Sequence, residues 1–230
     1  MNKIKIISLI VIAFTMTSCG GRQSNRQAGQ DVAEAVAPFV QVVPDGWEAM
    51  IDGNSLEGWE VVRAGGEGEP TVKDGILTLP MAPFGNSTGL RLEDEDAFPA
   101  INYAIYYEAR RIEGNDIFGG VSFPYGDTYA SLIVGGWGGA TCGLSSIDGK
   151  DASSNETTTY INFEDNVWYP VYLRVTTDSI IAVINDVTVA NIATDGKRIH
   201  LRSGTFVPSL TFSTFRTGGQ IRNLRMKRIE

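Results

Sequence analysis

Past residue 46 the chain alternates apolar and polar side chains over short runs, each closed by turn-forming residues. GILTLP follows the turn signal Lys73-Asp74-Gly75. In NYAIYYEARRI, Tyr103, Ile105, Tyr107 and Ala109 fall on one face, and Asn102, Tyr106, Glu108 and Arg110 on the other. VWYPVYLRVTTDSIIAVINDVTVANI reads as three strands, broken at Thr177-Asp178-Ser179 and at Asn185-Asp186. GGVSFPYGDTYASLIVGG reads as two strands crossing the middle of a sheet. SLTFSTFR and QIRNLRMKRI are the last two strands, with Gly218-Gly219 as the break between them. No stretch of the domain has a helical period with caps. Many short strands at regular spacing predict an all-β jelly-roll sandwich.

One segment resists that pattern. GGWGGATCGLSSIDGKDASSNET, residues 135–157, is far longer than a strand connection of about four to six residues. It carries Trp137, Cys142, Asp148, Asp151, Asn155 and Glu156 among its glycines and serines.

The ends of the chain set its surroundings. Residues 1–19 show Lys3 and Lys5, an apolar run from Ile6 to Phe14, then Met16-Thr17-Ser18-Cys19. This is a secretory signal whose ending resembles a bacterial lipobox, with Cys19 as the lipidated residue. Residues 20–45 are small and polar, a tether, and residues 46–230 form the domain. The protein is therefore expected in the cell envelope, lipid-anchored, on an outer membrane and facing the periplasm or the cell surface. Lipidation leaves Cys142 without a disulfide partner, so it reads as a small buried hydrophobe. The net charge of −8 repels phosphate backbones and excludes nucleic acid as a partner. The basic ending RNLRMKR alternates with apolar residues and reads as a half-exposed last strand.

GWEAMIDGNSLEGWEVV, residues 46–62, resembles the opening of the 3-keto-disaccharide hydrolase domain family. Met50, Ile51, Asp52, Gly53, Ser55, Leu56, Gly58 and Trp59 carry the likeness. KDGILTL and NYAIYYEAR resemble that family's next hairpin and long strand. Trp168, Tyr172, Asn185 and Val189 stand in register with a later hairpin, and QIRNLRMKRI resembles the closing strand. The resemblance implies a concanavalin-like β-sandwich. Most of these motif residues are architecture: Gly53 and Gly58 suit turns, Trp59 packs over the sandwich, and Trp47 and Trp168 read as core.

In a sandwich of this kind the curved sheet and its overlying loops hold ligand, which gives the long segment a role. Trp137 between glycine pairs offers an aromatic face for a sugar ring. Ser145, Ser146, Ser153, Ser154, Asn155 and Thr157–Thr159 offer hydrogen-bond groups to its hydroxyls. The same residues also fit a plain ordered loop whose Asp and Asn side chains cap its own turns. A third reading is a divalent cation site built from Asp148, Asp151, Asn155 and Glu156.

The resemblance further implies chemistry on glycosides oxidised to a ketone at C3. The ketone acidifies the C2 proton, so a base can remove it and the C1 oxygen leaves by elimination; water then adds back to the enone. That route needs a base and a group that stabilises the enolate oxygen. Asp148 and Glu156 are candidate bases, and Arg111 the candidate cation. Asp151, Asn155, Arg110, Tyr125 and Asp127 join Trp137 as candidate substrate-binding residues. The alternative function is a non-catalytic, lectin-like carbohydrate-binding module on the same sandwich.

Overall fold

The computed structural model describes residues 46–51, 53–63, 65–202 and 208–230. Cys19, the signal and the tether lie outside the described residues, as does Asp52 of the opening motif. No described helix is long and apolar enough to cross a membrane.

Fifteen strands run in chain order as β1 (Glu48–Ala49), β2 (Trp59–Val61), β3 (Thr71–Lys73), β4 (Ile76–Leu79), β5 (Ser87–Leu92), β6 (Tyr103–Gly114), β7 (Gly120–Tyr125) and β8 (Thr128–Gly135). They continue as β9 (Thr141–Ser145), β10 (Thr159–Tyr160), β11 (Tyr169–Val175), β12 (Ser179–Ile184), β13 (Val187–Ala193), β14 (Thr211–Phe215) and β15 (Thr217–Arg228). They form two antiparallel sheets. Sheet A has the order β13-β12-β11-β6-β15-β4-β3, with β1 added to β15; sheet B has the order β10-β9-β8-β7-β14-β5-β2. The chain crosses repeatedly between the sheets, among other places at β4–β5–β6–β7, β10–β11 and β13–β14–β15, so the fold is the expected all-β jelly-roll sandwich.

The alternation read from the sequence builds the core. Tyr103, Ile105, Tyr107 and Ala109 of β6 are all fully buried and face the other sheet. Opposite them stand Phe123, Val121, Leu132, Leu144 and Phe212 of sheet B. Tyr107 meets Phe212 edge to face at 5.3 Å between ring centres. Each such buried side chain contributes about 1.5–3 kcal/mol from area alone. The two buried tyrosines also tie the sheets together through polar tips: Tyr103 donates to Pro124 O at 2.6 Å and Tyr107 to Gly119 O at 2.7 Å. Burial pushes both phenols well above their ordinary range.

Two details differ from the sequence reading. The break between the last strands falls at Arg216, with φ 51°, while Gly218 and Gly219 lie inside β15. Gly219 is needed there because a Cβ would collide with Phe118 O. Trp47 and Trp168, read as core, lie half-buried against the outer face of sheet A under arginines. Arg110 and Arg222 flank the Trp168 ring at 4.4 and 4.3 Å from its centre. Cys142 is fully buried, as expected.

Candidate functional site

The outer face of sheet B is unusual in being buried and made of small residues. Each strand turns its large apolar side chains inward, so its alternate positions face out. Cross-strand pairing places Glu60, Arg91, Thr211, Ser122, Ser131 and Ser145 in one row across that face. Ser213 pairs with Gly120 and Gly89 in the next row. Ser131 donates to Ser145 O at 2.8 Å. The hydroxyls of Ser122, Ser145 and Ser213 are buried and find no hydrogen-bond partner among the described residues. Such groups are few in folded proteins because each costs about 1–3 kcal/mol of desolvation.

The long segment folds onto this face. Its Ala152 is fully buried and packs with Ile117, Ile133 and Phe215 in a small apolar cluster separate from the main core. Gly143 permits the approach: a Cβ there would stand 2.8 Å from Thr157 O. Asn155 organises the segment, donating to Leu144 O at 2.8 Å and to Lys150 O at 3.2 Å, and accepting from Thr157 N and Oγ1 at 2.8 and 2.6 Å. Residues 146–148 are also bonded to 198–200 through Ser146–His200 and Asp148–Arg198 backbone contacts.

Three side chains converge at the rim. Trp137 sits in a tight glycine turn with φ 49° and 44% of its surface exposed. The Arg202 guanidinium lies 5.9 Å from its ring centre, and the same guanidinium reaches Asp151 Oδ2 at 3.4 Å. Asp151 Oδ1 accepts from Ser153 N at 3.2 Å and from Ser153 Oγ. Asp116 stands beside the turn: its carboxylate accepts from Ile117 N at 2.9 Å and faces the backbone N–H groups of Gly138 and Trp137. Burial outweighs those contacts and raises the Asp116 carboxyl above the usual range. Phe84, almost fully exposed and also left-handed at φ 67°, stands at the same end of sheet B, where its neighbour Gly85 lies against Arg216. Bulky residues rarely hold positive φ, and such outliers gather at functional sites.

Of the other expected catalytic and substrate-binding residues, Arg111 reaches the turn that carries Trp137, and none is bonded to Trp137, Asp151 or Arg202 through its side chain. Asp148 accepts from Arg198 N at 2.9 Å, and Glu156 pairs with Lys197 at 2.6 Å. Arg111 is buried, bridging Asp165 and Phe163 O, with its Nη1 against the Gly139 backbone. No hydrogen bond or ion pair joins Asp148, Glu156 and Arg111 to one another. Tyr125 and Asp127 lie at the β7–β8 turn, the opposite end of sheet B from Trp137. There Tyr125 donates to Thr177 O at 3.4 Å, and Asp127 lines a recess of about 310 Å³ with Glu95, Asp96 and Tyr129. Arg110 stands on the other sheet. The oxygen cluster offered for a hard cation is not formed: among the described residues no three His, Cys, Asp or Glu side chains meet in a metal-binding group. Arg202 and Asp116 were missed because neither sits in a motif. The hydroxyl face had a signal, the serines at alternate positions of Val121–Phe123 and Ala130–Leu132.

A model of the 3-keto-alpha-glucoside-1,2-lyase-like domain matches residues 46–207, more than half of the chain. The chain belongs to that family. Among curated proteins none matches the sequence. Solved structures share the fold at low identity. A candidate glycosyl hydrolase from Parabacteroides distasonis ATCC 8503 superposes with a TM-score of 0.53 at 12% identity, covering 83% of this chain and 99% of that one. The apo Crh5 transglycosylase superposes with a TM-score of 0.51 at 11% identity, covering 80% of this chain and 83% of that one.

Proposed function

We propose that this family member is a carbohydrate-active domain working on the outer face of sheet B, and that its substrates are 3-keto-glycosides. The observation that carries the reading is the convergence of Asp151 and Arg202 beside Trp137, on the segment that folds onto the hydroxyl layer of sheet B, where Ser122, Ser145 and Ser213 have no hydrogen-bond partner among the described residues. A sugar needs this combination: an aromatic surface for a ring and hydroxyl partners for its edge. Family membership supplies the chemical class, and the Crh5 structure with NAG shows a related fold holding a sugar.

In this reading Trp137 seats the ring and the Asp151 carboxylate removes the C2 proton. Arg202 stabilises the enolate oxygen at C3. The electron pair then moves to C1–C2 as the C1–O bond breaks, and the leaving sugar oxygen takes a proton from water. Water adding across the enone completes hydrolysis. Asp116 is a positioning residue, since its carboxylate faces the backbone N–H groups of the Trp137 turn. The protein would do this at the cell envelope, held to the outer membrane through Cys19.

A non-catalytic binding module is the second reading, and one observation favours it. Asp148 is held by the Arg198 backbone N–H and Glu156 by Lys197, and Asp151, the carboxylate next to the aromatic, is itself paired with Arg202, so each carboxylate of the segment already has a partner. Incubation with a 3-keto-disaccharide and its unoxidised parent separates the two. Sugar release from the ketone alone, lost in Asp151→Asn, supports the enzyme. Binding without release supports the module, and the absence of both binding and release overturns the carbohydrate reading.

A further inference from the structure

The opposite face of the molecule holds a second concavity that the site on sheet B does not use. On the outer face of sheet A, pairing sets Arg174, Ala104 and Lys227 in one row. The next row is Tyr172, Tyr106 and Arg225. Ala104 is the small member between two long cations, so the row dips at its centre. The result is a groove of about 590 Å³, floored by Ala104, walled by Trp47 and Tyr172, and rimmed by Arg174, Lys227 and Arg228. Its size is that of a pocket for a sugar or two.

The charge of the rim is the unusual part. The protein as a whole carries −8. Yet Arg174, Lys227 and Arg228 each lack an ion pair with any described carboxylate. Among the described residues Arg228 donates to Ala97 O, at 3.4 Å. Glu230 is the one acidic residue lining the groove. The aromatic wall is held in place from behind: the Arg225 guanidinium lies 4.2 Å from the Tyr106 ring centre and 5.5 Å from that of Trp47. Three unpaired cations on an acidic molecule create a local field that favours anions, and two aromatic walls favour a ring over a flat surface.

We propose that this groove is a second glycan site, selective for an acidic oligosaccharide bearing carboxylate or sulfate groups. Arg174 and Lys227 bind the anionic groups from either side of Ala104, while Trp47 and Tyr172 pack against the sugar ring. Arg is suited to the part because its planar fork matches a carboxylate or sulfate. The site is independent of the hydroxyl face on sheet B and stands whether or not that face is catalytic.

Titration calorimetry of the full chain in detergent with tetragalacturonate, its methyl ester and a chondroitin sulfate tetrasaccharide tests it. The expected result is binding of at least one of the two acidic sugars, weakening as salt rises. Affinity should fall about tenfold or more in the Arg174→Gln/Lys227→Gln double variant and stay unchanged in Trp137→Ala. Tetragalacturonate, if it binds, should also lose about tenfold on esterification. Equal affinity for acid and ester overturns the proposal, as does binding of neither acidic sugar. Loss of the acidic-sugar binding in Trp137→Ala would move that ligand to sheet B and overturn it as well. Capture by phosphatidylglycerol vesicles that is lost in the double variant, with no acidic sugar bound, would assign the patch to a membrane surface.

Discussion

Arg202 reaches both Trp137 and Asp151: its guanidinium lies 5.9 Å from the indole centre and 3.4 Å from the carboxylate. Two residues of the long segment and one from a distant part of the chain thereby form one polar and aromatic corner at the rim of sheet B. Removing the indole tests that corner most directly. Trp137→Ala should weaken sugar binding by about 1–1.5 kcal/mol, roughly tenfold, with little change in melting temperature because the side chain is largely solvent-facing. Calorimetry and a thermal melt on the same samples check both halves.

Arg202 and Asp151 should be separable in kinetics. If Arg202 stabilises the enolate, Arg202→Ala lowers kcat on a 3-keto-disaccharide by about a hundredfold or more while KM changes little. Asp151→Asn should abolish turnover and retain binding. A rise in KM alone for either variant would assign them to ligand binding.

Gly143 controls how closely the long segment lies on sheet B. Its φ of 146° and the 2.8 Å from a Cβ position to Thr157 O leave no room for a side chain. Gly143→Ala should therefore destabilise the fold by about 1–3 kcal/mol and weaken sugar binding together, since Thr157 and the Asn155 bonds must shift. Denaturant unfolding and calorimetry report the two effects.

On sheet A, Glu108 is paired with Arg222 at 2.7 Å and takes Asn223 Nδ2 at 2.6 Å, at a position where β15 bulges past β6. Glu108→Ala removes the carboxylate these donors share, and should cost about 2 kcal/mol, less than a fully buried pair because both partners keep some water. The loss should appear in the denaturant midpoint with an unchanged slope.

Cys142 supplies a pH test. Burial pushes its thiol up to about 12 from an ordinary value of 9.0. The folded protein holds that proton through a range in which the unfolded chain releases it. Stability should thus fall as pH rises from about 9 toward 12, and Cys142→Ala should flatten that slope. The buried tyrosines add a similar loss that remains in the variant. In the native state the thiol should not react with a disulfide reagent below pH 9.

Much of the fold was legible because it rests on a local, repeating signal. The period-two alternation of Tyr103, Ile105, Tyr107 and Ala109 fixes which face of β6 enters the core, whatever it packs against. Asn185 and Asp186 likewise mark the β12–β13 turn, where both hold positive φ. The strand boundary at Arg216 was not legible, because Gly218 and Gly219 look like a break until Phe118 is seen pressed against one of them. Trp137 and Asp151 could be named from the segment that holds them. Their partner could not: Arg202 lies in a stretch with no motif, brought near by the pairing of 198–200 with 146–148. The same folding draws Asp148 and Glu156 to Arg198 and Lys197, although their neighbours in sequence made all three carboxylates look alike. The sequence by itself determined the strands, their inward faces and the length of the segment over sheet B, because these depend on residues a few positions apart. Tertiary structure alone decided which charges meet around the long segment, since Arg111–Asp165, Lys197–Glu156 and Arg202–Asp151 join residues that only the closing of the sandwich brings within reach, whereas a pair such as Arg63–Glu67 is local.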